Sequence, residues 1–232
     1  TSWIWIKEVY EGINAALKKY GGVILGGDCS SGIQRGLAIS AIGVIDELHL
    51  HRSKARAGDY LVVSGPHGLS RLGLAILVED PRIKKKKLAT SLIKKAINAH
   101  QRPQPPIEAL SKLKLCKPNF TPWRAAGTDS SDGLLEAIKG ICKSSGCQAV
   151  IKKECLPKPI DWPIDSEWDE WCLNGGEDYE LVLSLPKKWA RALIKEYKKA
   201  KIIGFTRKGK PNIFWDNLEE IDTNQSGIFK HF

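Results

Sequence analysis

Apolar residues recur along the chain at two spacings, and the spacing assigns the elements. Over residues 2–20, Ile6, Val9, Tyr10, Ile13, Ala16 and Leu17 line one face at the 3.6-residue period, and Gly21-Gly22 follow as a stop, so a helix is predicted. The short run VIL (23–25) reads as a strand leading into GGDCSSG, and GLAISAIGVI (36–45) as a buried strand. RSKARAGD (52–59), basic and turn-rich, is the candidate linker between two lobes. YLVVSG (60–65) is a strand ending in glycine, followed by a loop and the apolar helix LGLAILVE (72–79).

Further along, RIKKKKLATSLIKKAINAHQR (82–102) sets Leu88, Leu92, Ile93 and Ile97 at helical spacing until the prolines of HQRPQPP break it. A helix is predicted over 133–143, closed by SSG, then a strand in QAVI. WPIDSEWDEWCLNGGEDYELVLSL (162–185) reads as an acidic helix, a glycine-acid turn and a strand. KKWARALIKEYKKA is a helix, and KIIGF and NIFWD are strands. Helices and strands alternate throughout, so the fold class is α/β, or α+β with mixed sheets.

Composition narrows the function classes. The 232 residues carry 36 Lys and Arg against 26 Asp and Glu, a net charge of +10. The lysines of 82–102 alternate with apolar residues and read as a solvated helix face, and no motif interleaves them with aromatics, so nucleic acid is not the predicted partner. No run approaches the ~18 apolar residues of a membrane span, and the start has no basic leader, so neither a membrane partner nor a signal peptide is predicted. The six cysteines form no C-x-x-C pair, which argues against zinc and against a secreted disulfide scaffold and for reduced thiols in the cytoplasm. There is no methionine, even at position 1, and the expectation is a processed or partial chain.

Three turns share a grammar: GGD (Gly26-Gly27-Asp28), TDSSDG (128–133) and GGED (175–178). Each joins glycines or hydroxyls to carboxylates. Glycine lets backbone approach a bulky anion, and free N–H groups at a helix start favour phosphate. Carboxylates repel phosphate unless a cation lies between, and Mg²⁺ takes one or two of them together with phosphate oxygens. Each turn alone also has a plain reading: Asp132 as a helix cap with Asp129 as a turn residue, and GGED as an ordinary entry to a strand. No G-x-x-x-x-G-K-[ST] loop and no kinase-type catalytic loop is present.

Taken in order, GGD, RSKARAGD, SG, GLAIL, TDSSDGL, GGEDYEL and the terminal FKHF resemble the thiamine-monophosphate kinases, of the ATP-binding superfamily typified by aminoimidazole ribonucleotide synthetase. SDGL is shared across that superfamily, whereas GGEDYEL with a terminal His-Phe is specific to the kinase branch. The resemblance implies a two-lobe fold with ATP between the lobes and several Mg²⁺ ions on its phosphates. It implies phosphoryl transfer to thiamine monophosphate, giving thiamine diphosphate and ADP, by a cytoplasmic homodimer. Carried over by position, it makes Asp28, Asp129 and Asp132 metal ligands. Gly27, Asp28, Arg52, Ser131 and, more loosely, Tyr10 fall at ATP contacts; Glu177 and Phe229 fall at substrate contacts. Arg52 also reads as a linker salt bridge, and Phe229 as core.

The match implies that residues 1–52 are the remainder of an N-terminal ATP-binding lobe and 53–232 the C-terminal domain. About a hundred residues of the family, including further acidic motifs, would precede Thr1. Leu69 stands where the family has an aspartate, and the GIFKHF ending is spaced one residue differently. An incomplete lobe leaves strand edges open, so self-association or marginal stability is expected. The alternatives are another ATP-using member of the superfamily and an inactive nucleotide-binding fragment.

Overall fold

The computed structural model describes residues 2–83, 86–163 and 165–222; Phe229 and the rest of the FKHF ending lie outside them. The chain divides into two compact units, Thr1–Val44 and Ile45–Phe232.

In the first unit, helix α1 (Trp3–Tyr20) begins where Ser2 Oγ accepts the Trp5 N–H at 3.4 Å. It ends at Gly21, whose φ of 87° only glycine adopts freely and whose N–H returns to the Leu17 carbonyl. None of its residues is buried. The strands expected over 23–25 and 36–45 do not form. A strand exists through its ladder, and these runs pair with nothing among the described residues; Ile42 and Val44 stand fully exposed.

The second unit is built on a six-stranded sheet ordered β2-β4-β1-β5-β3-β6. Its strands are β1 (Tyr60–Val63), β2 (Ala126–Asp129), β3 (Cys147–Ile151), β4 (Leu181–Leu185), β5 (Lys201–Lys208) and β6 (Asn212–Trp215). All neighbours are antiparallel except β3 and β6. Alternation along the strands feeds two cores. Leu61, Val63 and Val182 face one with helix α5 (Leu134–Ser145), while Val62, Leu183 and Leu185 face the other with helices α4 (Ile107–Leu115) and α7 (Lys187–Glu196). A third cluster joins Trp162, Trp168 and Trp171, the last two on α6 (Ser166–Asn174), to α2 (Leu69–Leu77) and α3 (Thr90–Gln101). There Gly73 lets two helix backbones touch, since a Cβ would stand 2.2 Å from the Ala96 carbonyl oxygen.

Residues 52–59 do not behave as a loose linker. Asp59 is buried and accepts both Arg124 guanidinium nitrogens, at 2.5 and 2.8 Å, along with the Arg56 N–H and the Ser184 hydroxyl. The lysine-rich helix starts only at Thr90, and Lys86, before it, pairs with Asp165 at 3.0 Å. No helix among the described residues is long and apolar enough to cross a membrane.

Candidate active site

The antiparallel ladder of β2 and β4 determines the site. Asp129 pairs with Leu181, so the chain leaving β2 and the chain entering β4 meet at one end of the sheet. The first is TDSSDG and the second GGEDYE. Ser130 N–H donates to the Glu180 carbonyl at 3.0 Å, and Glu180 N–H returns to Ser130 Oγ at 3.2 Å. One step outward, Glu177 N–H donates to the Ser131 carbonyl at 2.7 Å. Gly133, with φ of 101°, follows; a Cβ there would be strained and would press on the Asn174 carbonyl oxygen at 3.3 Å. The N-cap position of α5 falls to Gly133, directly after Asp132.

Asp129 and Asp132 are both exposed at this end. Partial burial pushes the Asp129 carboxyl up, but hydrogen bonds from Ser131 and Thr128 outweigh it and hold the group below the ordinary carboxylate value. An ionised, accessible carboxylate with a second acid three residues on fits Mg²⁺, which completes its shell with phosphate oxygens and water. Among the described residues, no group of three or more His, Cys, Asp or Glu could hold a metal ion unaided.

Arg52 lies beside this pair. Its Nε and Nη2 donate to Thr128 Oγ1 at 3.2 and 3.0 Å, and its carbonyl accepts the Ser145 hydroxyl at 2.7 Å. A guanidinium held next to Asp129 by a neutral hydroxyl keeps its charge for an anion. Glu177, at φ 64°, places Oε2 3.5 Å from His100 Nδ1, which also lies 3.1 Å from Ser70 Oγ.

Three side chains to which the sequence pattern assigned no role of their own belong to the same neighbourhood. Asp178 turns inward, accepting Gly68 N–H at 2.7 Å and Ser70 N–H at 3.1 Å, and so satisfies the start of α2. Burial and the nearby Glu180 charge push its carboxyl up to about 7 against those hydrogen bonds. Tyr179 is part-exposed at φ 53°; its hydroxyl is pushed up by burial and then by the charges of Glu177, Asp129 and Asp132. His100 is the third. Its signal was masked because α3 reads as a lysine-rich surface helix.

Tyr10, Gly27 and Asp28 belong to the first unit. A Cβ on Gly27 would stand 3.1 Å from Tyr10 Oη, so those two residues are neighbours; Asp28 is exposed and accepts the Cys29 N–H at 2.8 Å.

Residues 56–216 match the family model described as AIR synthase related protein, C-terminal domain. The thiamine-monophosphate kinase of Prochlorococcus marinus is 53% identical over 232 residues, covering 100% of this chain and 70% of that protein. The chain belongs to the thiamine-monophosphate kinase family. The thiamine-monophosphate kinase of Synechococcus elongatus is 38% identical, over 98% of this chain and 68% of that protein. The solved structure of AaThiL complexed with AMPPCP and TMP is 27% identical with a TM-score of 0.59, covering 79% of this chain and 54% of that one. The stretch matched by the family model contains Asp129, Ser131, Asp132 and Glu177. Arg52, Tyr10, Gly27 and Asp28 precede it and Phe229 follows it. In this member of the thiamine-monophosphate kinase family, Asp129, Ser131, Asp132, Arg52 and Glu177 share one end of the sheet.

Proposed function

We propose that the chain transfers the γ-phosphoryl group of ATP to the phosphate of thiamine monophosphate, releasing thiamine diphosphate and ADP. One observation carries the reading: the 2.7 Å hydrogen bond from Glu177 N–H to the Ser131 carbonyl, which joins the two acid loops into one surface. A terminal phosphate oxygen of thiamine monophosphate attacks Pγ as the bond from Pγ to the ADP oxygen breaks, and no protein nucleophile is needed.

In this reading Asp129 and Asp132 would hold Mg²⁺, which when bound neutralises charge on the phosphates, and Asp28 is the metal-ligand candidate of the first unit. Arg52 presents its guanidinium fork to phosphate, and Ser131 donates its hydroxyl to the nucleotide. Within the first unit, Gly27 and Tyr10 are the nucleotide-contact candidates. Glu177 faces the cationic rings of the substrate; Phe229, outside the described residues, is the other substrate-contact candidate. The functional division is residues 1–52 for the nucleotide lobe and 53–232 for the C-terminal domain, working as a cytoplasmic homodimer. The six free thiols suit that compartment.

The test is turnover of thiamine monophosphate with Mg-ATP, followed by chromatography of thiamine diphosphate. Asp129→Asn is expected to lower the rate at least about a hundredfold. An unchanged rate removes Asp129 from the reading. ATP consumption with a different acceptor, and none with thiamine monophosphate, moves the chain to another ATP-using branch.

A further inference from the structure

Behind the acid loops lies a buried polar group to which the proposed reaction assigns no role. His67 is fully buried on the loop between β1 and α2, and its backbone N–H donates to the Pro157 carbonyl at 2.9 Å. Its ring spans two hydrogen bonds, from Nδ1 to the Gly65 carbonyl at 3.2 Å and between Nε2 and Ser130 Oγ at 3.0 Å. The Gly65 carbonyl can only accept, so Nδ1 carries the proton and Nε2 accepts from the Ser130 hydroxyl. That leaves a Ser130 lone pair for the Glu180 N–H at 3.2 Å. The neighbouring Ser64 mirrors the arrangement: its hydroxyl donates to the Glu180 carboxylate and accepts the Leu181 N–H at 2.7 Å. A Cβ on Gly65 would stand 2.3 Å from Glu180 Oε1, so the Glu180 carboxylate packs directly against this backbone and would have to shift to admit one.

Every proton in this chain of bonds has one assignable direction, and the chain runs from a third loop into both acid loops. Ser130 is the residue between Asp129 and Ser131, and Glu180 closes the GGEDYE turn that carries Glu177. We propose that His67 is a positioning residue for phosphoryl transfer: by accepting the Ser130 hydroxyl it locks TDSSDG and GGEDYE in one relative placement, so that Asp129, Ser131 and Glu177 are presented together.

The inference rests on the proposed function for its catalytic part, and two readouts on the intact protein separate the two. The first is amide hydrogen exchange at Ser130, Glu177 and Glu180, which needs no turnover. His67→Leu fills the space but leaves the Ser130 hydroxyl and Gly65 carbonyl unpaired, and is expected to speed exchange at these amides about tenfold, with β3 and β5 unchanged. His67→Gln, which offers an acceptor to Ser130, restores protection. Ser130→Ala has the same local effect as His67→Leu if that variant does not fold. Exchange that is unchanged, or that rises uniformly across the sheet, overturns the proposal.

The second readout is kcat/KM, measured well below the unfolding midpoint of each variant. His67→Leu is expected to lower it about a hundredfold, His67→Gln to recover most of it, and Ser130→Ala to add little in the His67→Leu background. Full kcat/KM in a destabilised His67→Leu protein makes His67 structural only and overturns the positioning role. A wild-type protein that turns over no thiamine monophosphate defeats the proposed function instead, and leaves the placement of the loops to be decided by exchange.

Discussion

Thr1–Val44 and Ile45–Phe232 carry apolar runs of similar strength and treat them in opposite ways. Val23, Leu25, Ile33, Ile39, Ile42 and Val44 are exposed, whereas Leu61, Val62 and Val63 are wholly buried. The second unit gives its central apolar strands a ladder on both sides, as β1 has β4 and β5. The first has one helix and, among its described residues, no ladder. An apolar sequence becomes core only where hydrogen-bonding neighbours carry its backbone inside with it.

Hydrogen exchange gives the sharpest test of that contrast. Amides of 22–44 are expected to exchange at least about a thousandfold faster than those of β1 and β4, which open only with the whole unit. Comparable protection in both would break the comparison. Substitution gives the next largest effect. Asp59→Ala strands the Arg124 guanidinium and is expected to cost about 3–5 kcal/mol in denaturant unfolding, while the same change at exposed Asp28 leaves the midpoint in place. Equal shifts would mean that the Arg124–Asp59 pair holds less than its geometry implies.

The smallest effect is in pH, and it carries two opposite signs within the second unit. His67 is pushed down to about 4 by burial, against the Gly65 carbonyl. Its contribution to stability is complete above the ordinary value of 6.5 and is lost as pH falls through about 4. Asp178, pushed up to about 7 chiefly by burial, contributes fully below its ordinary 3.8 and is lost as pH rises through about 7. His67→Gln should flatten the acid side of the unfolding profile, and Asp178→Asn the stretch from about 4 to about 7. A profile untouched by either substitution would show that neither group titrates with folding.

Periodicity was a good guide where burial and period coincide. α5, α7, β1 and β5 sit close to where their apolar spacing puts them, and α1 forms at its period with none of its residues buried. β2 escaped because Ala126-Gly127-Thr128-Asp129 has a single strand-forming side chain, Thr128; it is a strand because β4 lies beside it. α4 escaped because a short helix after three prolines carries little periodic signal. GGD, TDSSDG and GGED were visible as motifs, being local. The partners of those motifs were not: His67 meets Ser130 across 63 positions, and Asp178 meets Gly68 across 110. Nothing in a window of residues records such a distance.

The ladder of β2 and β4 also acts as a reading frame. A strand shows alternate side chains to alternate faces, so one residue gained or lost within it inverts everything downstream. An insertion in the exposed stretch 102–105 would lengthen a loop and leave the acids where they are. An insertion within 126–129 or 181–185 would turn the acid loops to different addresses with every residue of the motif still present. Length polymorphism among natural variants should therefore collect in the first kind of place and be purged from the second.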